Sequence, residues 1–73
     1  MKLTEAQRDA RLAILRDVER SGGIDRWSHL HSHGHHYQQV RACVYRGDLA
    51  EPAPYNYRLT EAGLSTLESR RAK

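Results

Sequence analysis

Hydrophobic residues recur at helical spacing along the first third of the chain. From residue 4 onward the apolar positions lie on one side of a helix, formed by Ala10, Leu12, Ile14, Leu15 and Val18. Thr4 is a suitable N-cap, and Gln7 three residues later completes a capping box. Gly22 and Gly23 are typical of a left-handed helix end. The pattern predicts a helix over residues 4–21.

Two shorter helical patterns follow. Asp25 is a suitable N-cap for a helix over residues 25–32, which Gly34 would terminate. The next apolar positions again share one helical face: Tyr37, Val40, Cys43 and Val44. They predict a third helix over residues 35–46 that ends at Gly47.

The last third of the chain predicts a β-hairpin and a final helix. Pro52 and Pro54 indicate a turn or a sheet edge within residues 48–59. The residues that follow alternate with a period of two, as in a strand, with Tyr55, Tyr57 and Leu59 on one side. Thr60 is a second suitable N-cap, in the segment LTEA that repeats residues 3–6, and it predicts a helix over residues 61–70.

The predicted order is α-β-α-α-β-β-α. Ile24, between the first two helices, is a single apolar residue in an extended link. It could pair with the hairpin and form a small three-stranded sheet. We therefore predict one domain over residues 1–73, mainly α with a small β-hairpin, in the α+β class. This order is that of a winged helix-turn-helix.

Composition narrows the class of protein. The chain has 73 residues, 38% of them hydrophobic, and a single cysteine, which excludes an internal disulfide. No apolar run is long enough to cross a membrane, so we expect a soluble, cytoplasmic protein. The net charge is +3, and all 12 cationic residues except Lys2 and Lys73 are arginine. Residues 26–47 contain no Asp or Glu, which indicates a surface that faces an anion.

The segment YNYRLTEAGLSTL, residues 55–67, resembles a known family. It is similar to the wing strand and following helix of winged helix-turn-helix regulators of the multiple-antibiotic-resistance and phenolic-acid types. The matching positions are Tyr57, Leu59, Thr60, Glu61, Gly63 and Leu67. The resemblance implies a DNA-binding domain in which the third helix is the recognition helix and residues 48–59 are the wing.

The outward face of the third helix supplies the candidate DNA contacts. At 100° per residue it carries His35, Gln38, Gln39, Ala42, Tyr45 and Arg46, with Arg41 at its border. Gln can present a forked contact to adenine and Arg to guanine, while Tyr and His can bind phosphate. Outside this helix, further candidates are Arg26, His33, Asn56 and Arg58. We predict that the third helix enters the major groove of duplex DNA.

The five histidines, all between residues 29 and 36, admit three interpretations: a metal site, donors to DNA phosphates, or surface side chains without a role. His29 and His33 stand four apart on one helical face and could bind zinc or nickel with His35 or His36. We expect no carboxylate or thiolate beside the cluster, however, and a glycine-containing turn gives a metal little fixed geometry. We therefore predict no metal and no cofactor, and we interpret the imidazoles as donors to DNA phosphates.

Two other functions compete with a transcriptional regulator. A winged helix can also serve as a protein-interaction module, for which Trp27, Tyr45 and Tyr55 are the candidate anchors. A metal-responsive regulator would use the histidines. We predict no enzymatic activity, because the sequence offers no nucleophile with an orienting base, and we expect Cys43 to be buried. A DNA-binding domain this small is expected to act as a homodimer or by binding repeated sites, since one short helix reads few base pairs.

Overall fold

A computed structural model describes residues 3–71 of the chain. Its elements are α1 (Glu5–Arg20), β1 (Ile24–Arg26), α2 (Trp27–Ser32), α3 (Tyr37–Arg46), β2 (Leu49–Ala53), β3 (Asn56–Leu59) and α4 (Glu61–Arg71). The predicted α+β class and the predicted order α-β-α-α-β-β-α are confirmed.

Helix α1 begins and ends at the residues that cap it. The Gln7 backbone N–H donates to the Thr4 hydroxyl over 3.1 Å, and the Thr4 N–H donates to the Gln7 side chain over 2.9 Å. This is the expected capping box. At the other end Gly23 takes φ +90° and donates its N–H to the Val18 carbonyl over 3.0 Å, so a left-handed turn closes the helix.

The three strands form one antiparallel sheet in the order β1-β3-β2. In β1, Asp25 pairs with Tyr57 of β3, so the expected extended link at Ile24 is a strand of three residues. The register of β2 is irregular between Ala50 and Ala53. Tyr55 in the hairpin turn has φ +64°, a left-handed conformation that is uncommon outside glycine. The sheet therefore depends on contacts that hold this turn.

Two predicted helix starts were wrong. Asp25 does not cap α2, because it is paired in the sheet, and α2 begins at Trp27. Helix α3 begins at Tyr37, two residues later than predicted. Gly34 takes φ +86°, and the His35 N–H donates to the Leu30 carbonyl over 3.1 Å, so the turn from α2 extends through residue 36.

The core lies between the helices and the inner face of the sheet. Its buried residues are Leu12, Ile14, Leu15, Val18, Leu30, Val40, Cys43, Leu49, Tyr57 and Leu67. Cys43 is buried as expected, whereas Trp27 is only partly buried at the edge of this cluster. The Tyr57 hydroxyl has no hydrogen-bond partner among the described residues, and burial raises the pKa of Tyr57 to about 12. Tyr57 therefore contributes through packing, as an uncharged side chain.

A buried ion pair joins α1 to the end of α3. The Asp48 side chain is 2% exposed and receives two bonds from Arg11, Nε to Oδ2 at 2.5 Å and Nη2 to Oδ1 at 2.9 Å. The same Nη2 lies 3.4 Å from the Thr66 hydroxyl of α4. Two hydrogen bonds of this kind fix the relative orientation of the two side chains as well as the distance between them.

The backbone of Asp48 also positions α4. Its carbonyl oxygen accepts the Thr60 N–H over 3.1 Å and lies 2.9 Å from the Thr60 hydroxyl, which in turn accepts the Gly63 N–H over 3.0 Å. A Cβ at Gly63 would overlap the Asp48 carbonyl oxygen and crowd the Leu59 side chain. Glycine at position 63 therefore allows α4 to approach the chain at Asp48.

We predict that Arg11→Met lowers the free energy of unfolding by about 3 kcal/mol or more, because it leaves a buried carboxylate without its partner. Urea denaturation measures the change. Arg16→Met is the matched control, because Arg16 lies on the same helix and is exposed, and we expect its effect to stay within about 0.5 kcal/mol. Equal effects of the two substitutions would contradict a stabilising role for the ion pair.

Candidate nucleic-acid interface

The outward face of α3 is exposed mainly at three of the predicted positions. Gln38 and Arg46 are exposed, and the Tyr45 side chain is 96% exposed. Gln39 and Ala42 are half-buried. Val40 and Cys43 on the opposite face are fully buried. Packing of that inner face against the core holds the helix so that Gln38, Tyr45 and Arg46 can reach a ligand.

His35 is not part of this face, so its predicted place there was wrong. The side chain is 12% exposed, and its Nε2 lies 2.5 Å from Oδ2 of Asp17 on α1. Because α3 begins only at Tyr37, residue 35 belongs to the turn, and helical spacing does not describe its direction. His33, another predicted DNA contact, places its Nδ1 3.3 Å from the same carboxylate oxygen.

The histidine segment therefore has carboxylate partners, contrary to expectation. Besides Asp17, the nearly buried Asp25 places Oδ2 2.6 Å from Nδ1 of His29. The same carboxylate accepts the Arg26 backbone N–H over 2.8 Å. Residues 26–47 lack acids in sequence, but two carboxylates from outside the segment, Asp17 and Asp25, fold against its histidines. His29, His33 and His35 are each hydrogen-bonded to one of them.

These contacts also bear on the metal candidates. The rings of His29 and His33 lie close together, with centroids 4.2 Å apart. Their Nδ1 atoms, however, face different carboxylates. Within residues 3–71 no group of three or more His, Cys, Asp or Glu side chains is arranged to hold a metal ion.

Arg41 has an intramolecular partner. Its Nη1 forms an ion pair with Oε1 of Glu51 on β2, and Oε2 of Glu51 accepts the Tyr55 backbone N–H over 3.0 Å. The Tyr55 carbonyl oxygen also accepts the Trp27 N–H over 2.9 Å. Glu51 thus ties α3 to the hairpin turn and holds the left-handed Tyr55. Arg41 can contact DNA only while it stays paired with Glu51 or after this ion pair is broken.

The sheet provides a second exposed surface with two arginines. Tyr57 points into the core, so its neighbours Asn56 and Arg58 point outward and are exposed. Asn56 pairs with Arg26 of β1, which is also exposed. The Asn56 side chain donates to the Pro54 carbonyl over 3.2 Å. The remaining predicted contacts, Arg26, Asn56 and Arg58, therefore share the outer face of the sheet.

Helical spacing did not predict the aromatic group beside this interface. Trp27 contacts the rings of His31 and Tyr37, and Tyr37 contacts Tyr55 of the hairpin turn. Tyr37 was expected on the inner face of α3, yet its side chain is 39% exposed. Tyr37 is the first residue of α3, and its ring contacts the partly buried Trp27 at the edge of the core.

Comparison with known proteins identifies no relative. No family model, curated protein or solved structure matches the chain. The part of the chain that the structure describes has no helix with the length and apolar character needed to cross a membrane. The function of this interface must therefore be inferred from its own side chains.

We predict that Asp17→Asn destabilises the fold at neutral pH by about 1–2 kcal/mol, as expected for lost hydrogen bonds to a charged group. Burial acts to raise the pKa of Asp17, but the hydrogen bonds to His35 and His33 and their charges outweigh it, so that this pKa lies below its ordinary value of 3.8. Stability from such a group is present above the ordinary pKa and is lost as the pH falls through the lowered one.

Urea denaturation of the wild-type chain and of Asp17→Asn, from neutral pH to about pH 2, measures this effect. We expect the difference in unfolding free energy to shrink below about pH 4. Asp9→Asn is the control, because Asp9 is exposed on the same helix. A difference that stays constant down to the lowest pH would contradict the charged pairing.

Proposed function

We propose that this chain is a small winged-helix domain that binds duplex DNA through α3 and regulates transcription. The observation that carries the proposal is the outward face of α3, where Gln38, Tyr45 and Arg46 are exposed. The element order and the three-stranded antiparallel sheet support the winged-helix arrangement.

The chemistry of this face suits the major groove. Gln38 can make a forked contact to adenine, and Arg46 can make one to guanine. The Tyr45 hydroxyl, on a side chain that packs against almost nothing, can bind a phosphate. Ala42, half-buried between them, keeps the helix narrow enough to enter the groove. Base contacts then specify the sequence while phosphate contacts position the helix.

The outer face of the sheet would add contacts to the backbone. Arg26 and Arg58 are exposed there, and no ion pair occupies either of them among the described residues. Arginine binds phosphate in a forked geometry. We infer that these two residues contribute affinity without sequence preference.

Glu51 would set the availability of Arg41. In the free protein its carboxylate occupies the guanidinium of Arg41 and carries a charge that repels phosphate. Binding that uses Arg41 must exchange this contact for one to DNA. A fit between the hairpin turn and the duplex would then be needed before Arg41 takes part, so Glu51 would favour a correct site over random DNA.

One observation favours a second function. The Tyr45 side chain is 96% exposed and the Tyr55 side chain 55% exposed, and exposed aromatics often anchor protein interfaces. A winged-helix interaction module that binds a partner protein is therefore the second candidate. The two functions respond differently to salt, because DNA binding releases counterions and an aromatic interface does not.

We predict micromolar binding of the chain to a random-sequence duplex, measured by fluorescence anisotropy at low salt and lost steeply as salt is raised. A chelator should leave it unchanged, because no metal is invoked. On a random-sequence duplex we expect Arg46 to pair with a phosphate, so Arg46→Gln should weaken binding and reduce the magnitude of the slope of log K against log salt by about 1. Sedimentation of the complex then shows whether one chain or a homodimer binds.

Arg70→Gln is the matched control, because it removes the same charge from an exposed position on α4. It should leave the slope nearly unchanged. Equal effects of the two variants would indicate that net charge, and not α3, binds DNA. Absence of binding at low salt would exclude the proposed function and favour the interaction module.

A further inference from the structure

A cavity of about 330 Å³ opens at the turn between α2 and α3. It is lined by Trp27, His31, Gly34, His35, His36 and Tyr37. This volume lies at the lower end of the range of small-ligand sites, about 300–1,000 Å³. It is separate from the outward face of α3, since Gln38, Tyr45 and Arg46 do not line it.

The walls of the cavity are aromatic. The Trp27 ring lies 5.2 Å from the His31 ring, tilted by 41°, and 5.2 Å from the Tyr37 ring, nearly perpendicular at 78°. Trp27 is held in place at its backbone by the Tyr55 carbonyl, 2.9 Å away, and its side chain packs on the core. The Trp27 ring offers a face on which a flat ligand can stack.

The polar groups of the cavity are donors and suit an anion. No lining residue is acidic. His35 is hydrogen-bonded to Asp17, the one carboxylate that reaches this turn from α1. His31 and His36 are exposed, and neither imidazole is hydrogen-bonded to any residue that the structure describes. His36 precedes α3 without capping it through its side chain. Two imidazoles are therefore free to bind a ligand.

We propose that this cavity binds a single nucleotide, with the base stacked on the Trp27 ring, the edge of the base against the perpendicular Tyr37 ring, and the phosphate bound by His31 and His36. A nucleotide joins a flat aromatic ring to an anion, which is the combination that the walls and the donors favour. The same chemistry can come from a free mononucleotide or from an unpaired nucleotide of a strand. The site goes beyond the proposed duplex interface and does not depend on it.

Trp27 is the only tryptophan of the chain, so its fluorescence reports on this cavity directly. The titrants are AMP, adenosine, inorganic phosphate and the tetranucleotide of deoxyadenosine. We expect saturable quenching by AMP, with an affinity about tenfold higher than that of adenosine, because the phosphate adds hydrogen bonds to a charged group. Phosphate alone should bind without quenching of comparable size.

Two variants separate this site from α3. His36→Ala should weaken AMP binding about tenfold, and it should weaken duplex binding less than Tyr45→Ala does, because His36 precedes α3 and is not on its outward face. Tyr45→Ala, on the outward face of α3, is the control: it should leave AMP binding unchanged and weaken duplex binding. Failure of the duplex proposal therefore leaves the cavity result interpretable, and the reverse also holds.

Each outcome of the titration decides something. Equal affinities for AMP and the tetranucleotide support a free nucleotide as ligand, and a tetranucleotide that binds about tenfold more tightly supports a strand. Quenching that rises linearly to millimolar AMP overturns the proposal. Equal binding of AMP and adenosine, unaffected by His36→Ala, also overturns it, because the anion would then play no part.

Discussion

The ion pair between Arg11 and Asp48 is the contact on which the arrangement of the helices depends. The Asp48 side chain binds α1, its carbonyl oxygen binds the start of α4, and its N–H closes the end of α3 on the Cys43 carbonyl over 3.0 Å. Gly47, with φ +89°, turns the chain so that Asp48 can make all three of these contacts. Two charges that are largely removed from water stabilise a fold only when both are present and well bonded. The placement of α3 on α1 follows from this pair.

A carboxylate of α1 positions the other end of α3. Asp17 binds His33 and His35 and thereby holds the turn that leads into the helix. This contact removes two imidazoles from the candidate DNA surface and leaves His31 and His36 beside the aromatic rings. One helix thus positions α3 at both ends, while the hairpin turn, through Glu51 and Arg41, holds it at the side. The outward face of α3 is the part of the helix that these contacts leave exposed.

Local signals in the sequence predict most of the elements but few of the polar contacts. Thr4 with Gln7 and the glycines at 23 and 47 act through neighbours within a few residues, so their roles can be read from spacing. The start of α3 could not be predicted from spacing, because the left-handed Gly34 extends the turn by two residues and changes the direction of His35. Arg11 and Asp48 lie 37 residues apart, and no local pattern relates them. Asp25 has a side chain typical of an N-cap, but its backbone pairs with Tyr57 in the sheet, so it does not cap α2.

The central claim is that α3 meets duplex DNA with its outward face. Chemical-shift mapping of the backbone amides of the 73-residue chain, during a titration with duplex DNA, tests it most directly. We expect the largest shifts at Gln38, Tyr45 and Arg46, with smaller ones at Arg26 and Arg58. Shifts concentrated on α1 and α4, with α3 unaffected, would contradict it.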